Sequence, residues 1–89
     1  MYIIKISENL QEILQKLSKK DKLLYDRVLK KIHEIAQSDN VEHYKNLKYS
    51  LKDTQRVHIG PFVLVFQFNK LRNEILFDDF DHHDKIYIR

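Results

Sequence analysis

The sequence predicts an α+β domain in which a helical hairpin packs on one face of a small, mainly antiparallel sheet. Three observations carry this reading. Apolar residues recur at helical spacing in two consecutive segments, 10–17 and 24–35. They then alternate, or run unbroken, in three strand-like segments, 54–59, 62–68 and 74–80. Helical and strand-like stretches kept apart along the chain indicate α+β rather than a parallel α/β sheet. With a short opening strand, the order is β-α-α-β-β-β. At 89 residues there is room for one core, so residues 1–89 read as a single domain.

Met1 to Ile6 (MYIIKI) is the opening strand. Ser7 or Asn9 can cap the helix that follows, where Leu10, Ile13, Leu14 and Leu17 fall at i, i+3, i+4 and i+7. Ser18-Lys19-Lys20-Asp21 has capping-box spacing, with Asp in place of the usual Glu. A second helix then runs to about Gln37, with Leu24, Val28, Ile32 and Ile35 along one side and Lys22, Arg27, Lys30, Lys31 and Glu34 on the other. So short a link makes the two helices an antiparallel hairpin. Ser38-Asp39-Asn40 ends it with turn-forming residues. Val41 to Asp53 is a polar connection in which Leu47 and Leu51 are expected to reach the core.

The three later strands hold the remaining apolar weight. In Thr54 to Ile59, side chains two apart share a face, so Arg56 and His58 point one way while Val57 and Ile59 point the other. The chain's only glycine and only proline, Gly60-Pro61, break this strand from the next. Phe62 to Phe68 (FVLVFQF) does not alternate, which marks a central strand covered on both faces. Asn69 to Asn73 makes a hairpin turn and Glu74 to Phe80 the last strand. Asp81-His82-His83-Asp84 reads as a polar turn or bulge, and Lys85 to Arg89 as a short terminal segment.

The formal charge is +3, from 16 Lys and Arg against 13 Asp and Glu, and it is unevenly spread. Residues 16–31 and 45–58 are basic and residues 74–84 acidic, which suits an anionic partner, either nucleic acid or an acidic protein segment. With no cysteine, disulfides and thiolate metal sites are excluded and a reducing compartment is expected. No apolar run approaches the ~18 residues of a membrane span and no signal peptide opens the chain, so a soluble, cytoplasmic protein is expected.

Three places could carry chemistry. Lys45, Lys48 and Lys52 alternate with Tyr44 and Tyr49, a pattern suited to RNA because ammonium groups meet phosphates while rings stack on unpaired bases. The same pattern also serves plain solubility. Arg56 and His58 share a strand face, which is either a solvent-facing pair or the floor of a polar site. The cluster Asp78-Asp79-Phe80-Asp81-His82-His83-Asp84 invites a metal reading, but neighbours in an extended chain face opposite ways, so His82 and His83 are poorly placed to chelate one ion. A histidine there is better suited to proton transfer, with Tyr87 as a possible partner group. His33 and His43 read as ordinary helix and loop residues.

Taken in order, several of these features resemble the RelE/ParE toxin superfamily over essentially the whole chain. They are the β-α-α-β-β-β order, the Leu47-Lys48 pair, the strand Arg56-Val57-His58-Ile59-Gly60, the apolar strand containing Phe66, and the ending His82-His83-Asp84-Lys85-Ile86-Tyr87. The ending is more similar to the RelE branch than to the gyrase-poisoning ParE branch. The resemblance implies the toxin of a type II toxin–antitoxin pair. Such a toxin is an endoribonuclease that cuts messenger RNA in the ribosomal decoding site without metal or cofactor. The implied step is attack of a 2′-hydroxyl on the adjacent phosphate, giving a cyclic phosphate and a 5′-hydroxyl. The implied partners are the ribosome, its message, and an acidic cognate antitoxin that wraps the toxin in a hetero-oligomer.

Carried over by position, Arg56 and His58 match two basic residues of the family's second strand, and His83 falls where relatives often carry arginine. Tyr87 matches a C-terminal tyrosine assigned to proton transfer. Lys45, Lys48, Lys52 and His82 become RNA contacts. One departure stands out: the family's "G-x-Y-R" stretch places arginine on the central strand where this chain has Val63. Loss of one phosphate-stabilising cation costs on the order of 3 kcal/mol, roughly a hundredfold in rate. Two alternatives therefore stay open, a toxin fold that binds antitoxin or ribosome with little or no cleavage, and a ParE-like gyrase inhibitor.

Overall fold

A computed structural model describes residues 2–38 and 54–86. The elements are β1 (Ile3–Ile6), α1 (Glu8–Lys20), α2 (Lys22–Ala36), β2 (Thr54–Ile59), β3 (Phe62–Asn69), β4 (Glu74–His82) and a final turn of helix, α3 (His83–Ile86). The four strands form one sheet in the order β1-β4-β3-β2, with β1 parallel to β4 and the other neighbours antiparallel. The expected α+β architecture is the one observed. Among the described residues no helix is long and apolar enough to cross a membrane.

Capping explains where the helices start. Ser7 is the N-cap of α1, its Oγ accepting from the Leu10 N–H at 3.0 Å. Asp21 plays that part for α2, accepting from the Leu24 N–H at 3.1 Å. The expected Ser18–Asp21 box does not form, because Ser18 stays inside α1 and donates to the Gln15 carbonyl at 2.7 Å. Asp21 thus separates two helices that would otherwise run on as one.

Both helices lay their apolar stripes on the sheet. Leu10, Leu14, Leu24, Val28, Ile32 and Ile35 pack with Ile59, Leu64, Phe66, Ile75, Phe77 and Phe80 in one core. On the opposite face a smaller cluster joins Val63 and Val65 to Ile86 of α3. The central strand β3 is therefore covered on both sides, as its unbroken apolar run requires.

The irregularity expected at residues 81–84 lies earlier. Val65 pairs with Asp79 but Phe66 pairs with Phe77, which leaves Asp78 as an extra residue on β4. A bulge exposes backbone groups that need partners. Ser7 Oγ donates to the Asp78 carbonyl at 2.8 Å, and the Asn9 side-chain amide donates to it at 3.2 Å. The bulge thereby ties β4 to the start of α1, and β4 continues without a break to His82.

The hairpin joining β2 to β3 has the two-residue loop Gly60-Pro61, between the paired residues Ile59 and Phe62. Gly60 has φ +58°, and a glycine of positive φ followed by proline fits a type II′ turn. The connection carrying Tyr44, Lys45, Leu47, Lys48, Tyr49, Leu51 and Lys52 lies outside the described residues, as does Tyr87.

Candidate functional site

β2 presents Arg56 and His58 on the sheet face turned away from the helical hairpin, because Val57 and Ile59 take the core-facing positions between and beside them. Arg56 Nη1 lies 2.9 Å from His58 Nε2. A guanidinium can only donate, so Nε2 accepts, and in the neutral ring the proton sits on Nδ1. Sheet register extends this row: His58 pairs with Val63, which pairs with Asp81, and Arg56 pairs with Val65, which pairs with Asp79.

The second half of the site comes from the far end of the chain. Where β4 ends, the His83 N–H donates to the Pro61 carbonyl at 2.9 Å. That bond fastens the start of α3 to the tip of the β2–β3 hairpin. It brings the His83 ring to 5.8 Å from the His58 ring, centroid to centroid, tilted by 33°. His83 Nδ1 lies 3.3 Å from an Asp84 carboxylate oxygen, an acceptor, which makes Nδ1 the donor. Two imidazoles and a guanidinium therefore share one open groove.

His82 goes elsewhere. Its ring stands edge-on to Phe62 at 5.7 Å, and Phe62 stacks on Phe80 at 5.3 Å, both on the helix-facing side of the sheet. The Asp84 N–H donates to His82 Nδ1 at 3.2 Å. Consecutive histidines thus end on opposite faces. Among the described residues no group of three or more His, Asp or Glu is arranged to hold a metal ion.

Val63, at the place where an arginine was expected by resemblance, is fully buried against Val65 and Ile86. It forms the floor beneath α3 rather than a vacancy in the groove. One further cation lies at this end of the molecule. Arg27 of α2 places its guanidinium nitrogens 3.7 and 3.8 Å from where a β-carbon would stand on Gly60. Its helical spacing marks it only as one of several surface cations, and the reach of its side chain to the hairpin tip is what singles it out.

No family model matches the chain. It is 52% identical over 88 residues to a protein of Methanocaldococcus jannaschii named "Putative toxin RelE4", covering 98% of this chain and 92% of that one. It is 42% identical over 88 residues to an uncharacterized protein of Methanosarcina mazei, covering 98% of this chain and all of that protein. Among solved structures it resembles the isolated E. coli RelE toxin, with a TM-score of 0.72 and 20% identity over 92% of this chain and 84% of that one. It also resembles a chain of the E. coli RelBE toxin–antitoxin complex, with a TM-score of 0.71 and 19% identity over 92% of this chain and 96% of that one.

Proposed function

This chain belongs to the RelE-like toxin family, and from that premise we propose that it is the toxin of a toxin–antitoxin pair, cleaving messenger RNA on the ribosome without a metal ion. The observation that carries the reading is the His58–His83 imidazole pair, 5.8 Å apart, with the Arg56 guanidinium bonded to one member. Cleavage by an internal hydroxyl needs a base, an acid and positive charge at the phosphate, and this groove offers all three types of group. One neutral imidazole takes the proton of the 2′-hydroxyl as its oxygen bonds to phosphorus. The bond from phosphorus to the 5′-oxygen then breaks, and the leaving oxygen takes a proton from the other, protonated imidazole. His58 fills either role only once its Nε2 is released from Arg56, whose guanidinium then turns to the phosphate. The products are a 2′,3′-cyclic phosphate and a 5′-hydroxyl, and no outside reactant is consumed. Tyr87, Lys45, Lys48 and Lys52 retain their assignments as proton-transfer group and RNA contacts within this proposal.

An acidic antitoxin is the proposed partner. The structurally similar E. coli toxin is found in complex with its antitoxin, and the net charge of +3 here favours an anionic chain.

The test is a cleavage assay on messages carried by ribosomes, with wild type, His58→Ala, His83→Ala and Tyr87→Phe, and analysis of the product ends. Cyclic phosphate ends, lost in the histidine variants and insensitive to chelator, are expected. Activity lost in EDTA and restored by a divalent ion would overturn the metal-free step. The burial of Val63 favours a second reading, a toxin fold that binds without cutting. Intact messages together with retained antitoxin or ribosome binding would establish it, whereas intact messages with DNA damage would point to gyrase.

A further inference from the structure

Two of the lysines of α2 are held in ion pairs. Lys22 is paired with Asp26 at 3.2 Å, and Lys31 with Glu34 at 2.9 Å. Arg27 is exposed and, among the described residues, has no ion pair or hydrogen bond. Its guanidinium nitrogens lie instead 3.7 and 3.8 Å from where a β-carbon would stand on Gly60, beside the tip of the hairpin whose next residue, Pro61, receives the His83 N–H. An exposed guanidinium beside the tip, with no ion pair among the described residues, keeps its planar set of donors available for phosphate. The tip is therefore flanked by His58 and His83 on the open face and by Arg27 on the helix side, where His82 and the half-buried Phe62 also lie.

We propose that the RNA strand crosses the Gly60–Pro61 tip and that Arg27 grips a phosphate flanking the scissile one, on the helix side of the sheet. The inference rests on the nuclease reading above and extends its groove around the hairpin. It gives the chain a phosphate-binding cation in place of the one that Val63 cannot supply, at a neighbouring phosphate and not at the reacting one. Arg27 therefore affects binding more than the chemical step.

The test uses the full chain and ribosomes programmed with a short message carrying a 2′-deoxy nucleotide at the scissile position, so that binding is read without cleavage. Arg27→Ala is expected to weaken binding about tenfold, the scale of one charge-assisted contact. It should also reduce the slope of log affinity against log salt by about 1. Arg27→Lys should recover much of the affinity, and on cleavable message Arg27→Ala should raise KM with little change in kcat. Alanine favours a helix interior, so the variant is expected to fold, which circular dichroism checks. Arg72→Ala removes the same charge from the opposite hairpin and serves as the control. If Arg27→Ala and Arg72→Ala behave alike, the proposal is overturned. If the unsubstituted protein neither binds nor cuts the programmed message, the nuclease reading fails, and the Arg27 assignment falls with it.

Discussion

Arg56 orients His58 because a guanidinium has no lone pair to offer, and Asp84 does the same for His83 because a carboxylate has no proton to give. Loss of one acid–base group slows such a reaction by about 10²–10⁴-fold. His83→Ala should therefore abolish most cleavage, whereas His82→Ala, on the other face, should leave kcat within about threefold, an order-of-magnitude distinction that single-turnover rates will resolve. With imidazoles in both roles, the rate should depend on pH, because one ring must be neutral and the other protonated for the step to proceed. A flat profile would mean that no histidine moves a proton. Val63 makes a sharper case. Restoring the family's arginine as Val63→Arg would put an unpartnered charge beneath Ile86, costing about 3–5 kcal/mol in urea unfolding. No gain of cleavage is expected, since the position faces packed apolar side chains.

At the level of the element, the β2–β3 hairpin is what joins the two halves of the groove. Its tip holds Gly60 at φ +58° and offers the Pro61 carbonyl to His83. A methyl group on Gly60 would meet nothing closer than 3.7 Å, an ordinary contact. Gly60→Ala should thus destabilise through backbone strain alone, by about 1–2 kcal/mol, and Gly60→Asn by less because asparagine tolerates positive φ. Thermal melts of the pair will test this, since a steric cause would make asparagine the worse of the two. The bulge at Asp78 works in the same spirit. It ties β4 to Ser7 and Asn9 and lets the strand continue to His82, which delivers His83 to the groove.

For the molecule as a whole, stability rests on one apolar layer between two helices and the sheet, with a smaller layer beneath α3. Phe66 is completely buried at its centre, its ring 5.6 Å from that of Phe77. Phe66→Ala should cost about 3–5 kcal/mol. In a domain of this size that is much of the total stability, so urea titration should show a largely unfolded protein. A loss under about 1 kcal/mol would mean that the core repacks around the gap.

Helix and strand order, the paired apolar stripes and the doubly covered central strand were all legible in the residues, because each depends on side-chain spacing along a few turns or pleats. The sharing of a face by Arg56 and His58 follows from the same short-range alternation. Resemblance to the toxin family was legible as a succession of weak motifs, and the 52% identical relative makes that kinship plain. Other features depend on contacts between distant segments, which local periodicity does not encode. The bulge falls at Asp78 and not after Asp81 because Ser7 and Asn9 are there to donate to its carbonyl. His83, and not His82, meets His58 because of one backbone bond to Pro61. Arg27 reaches the hairpin tip, and Val63 is sealed under Ile86, only because the folded chain brings each pair together in space.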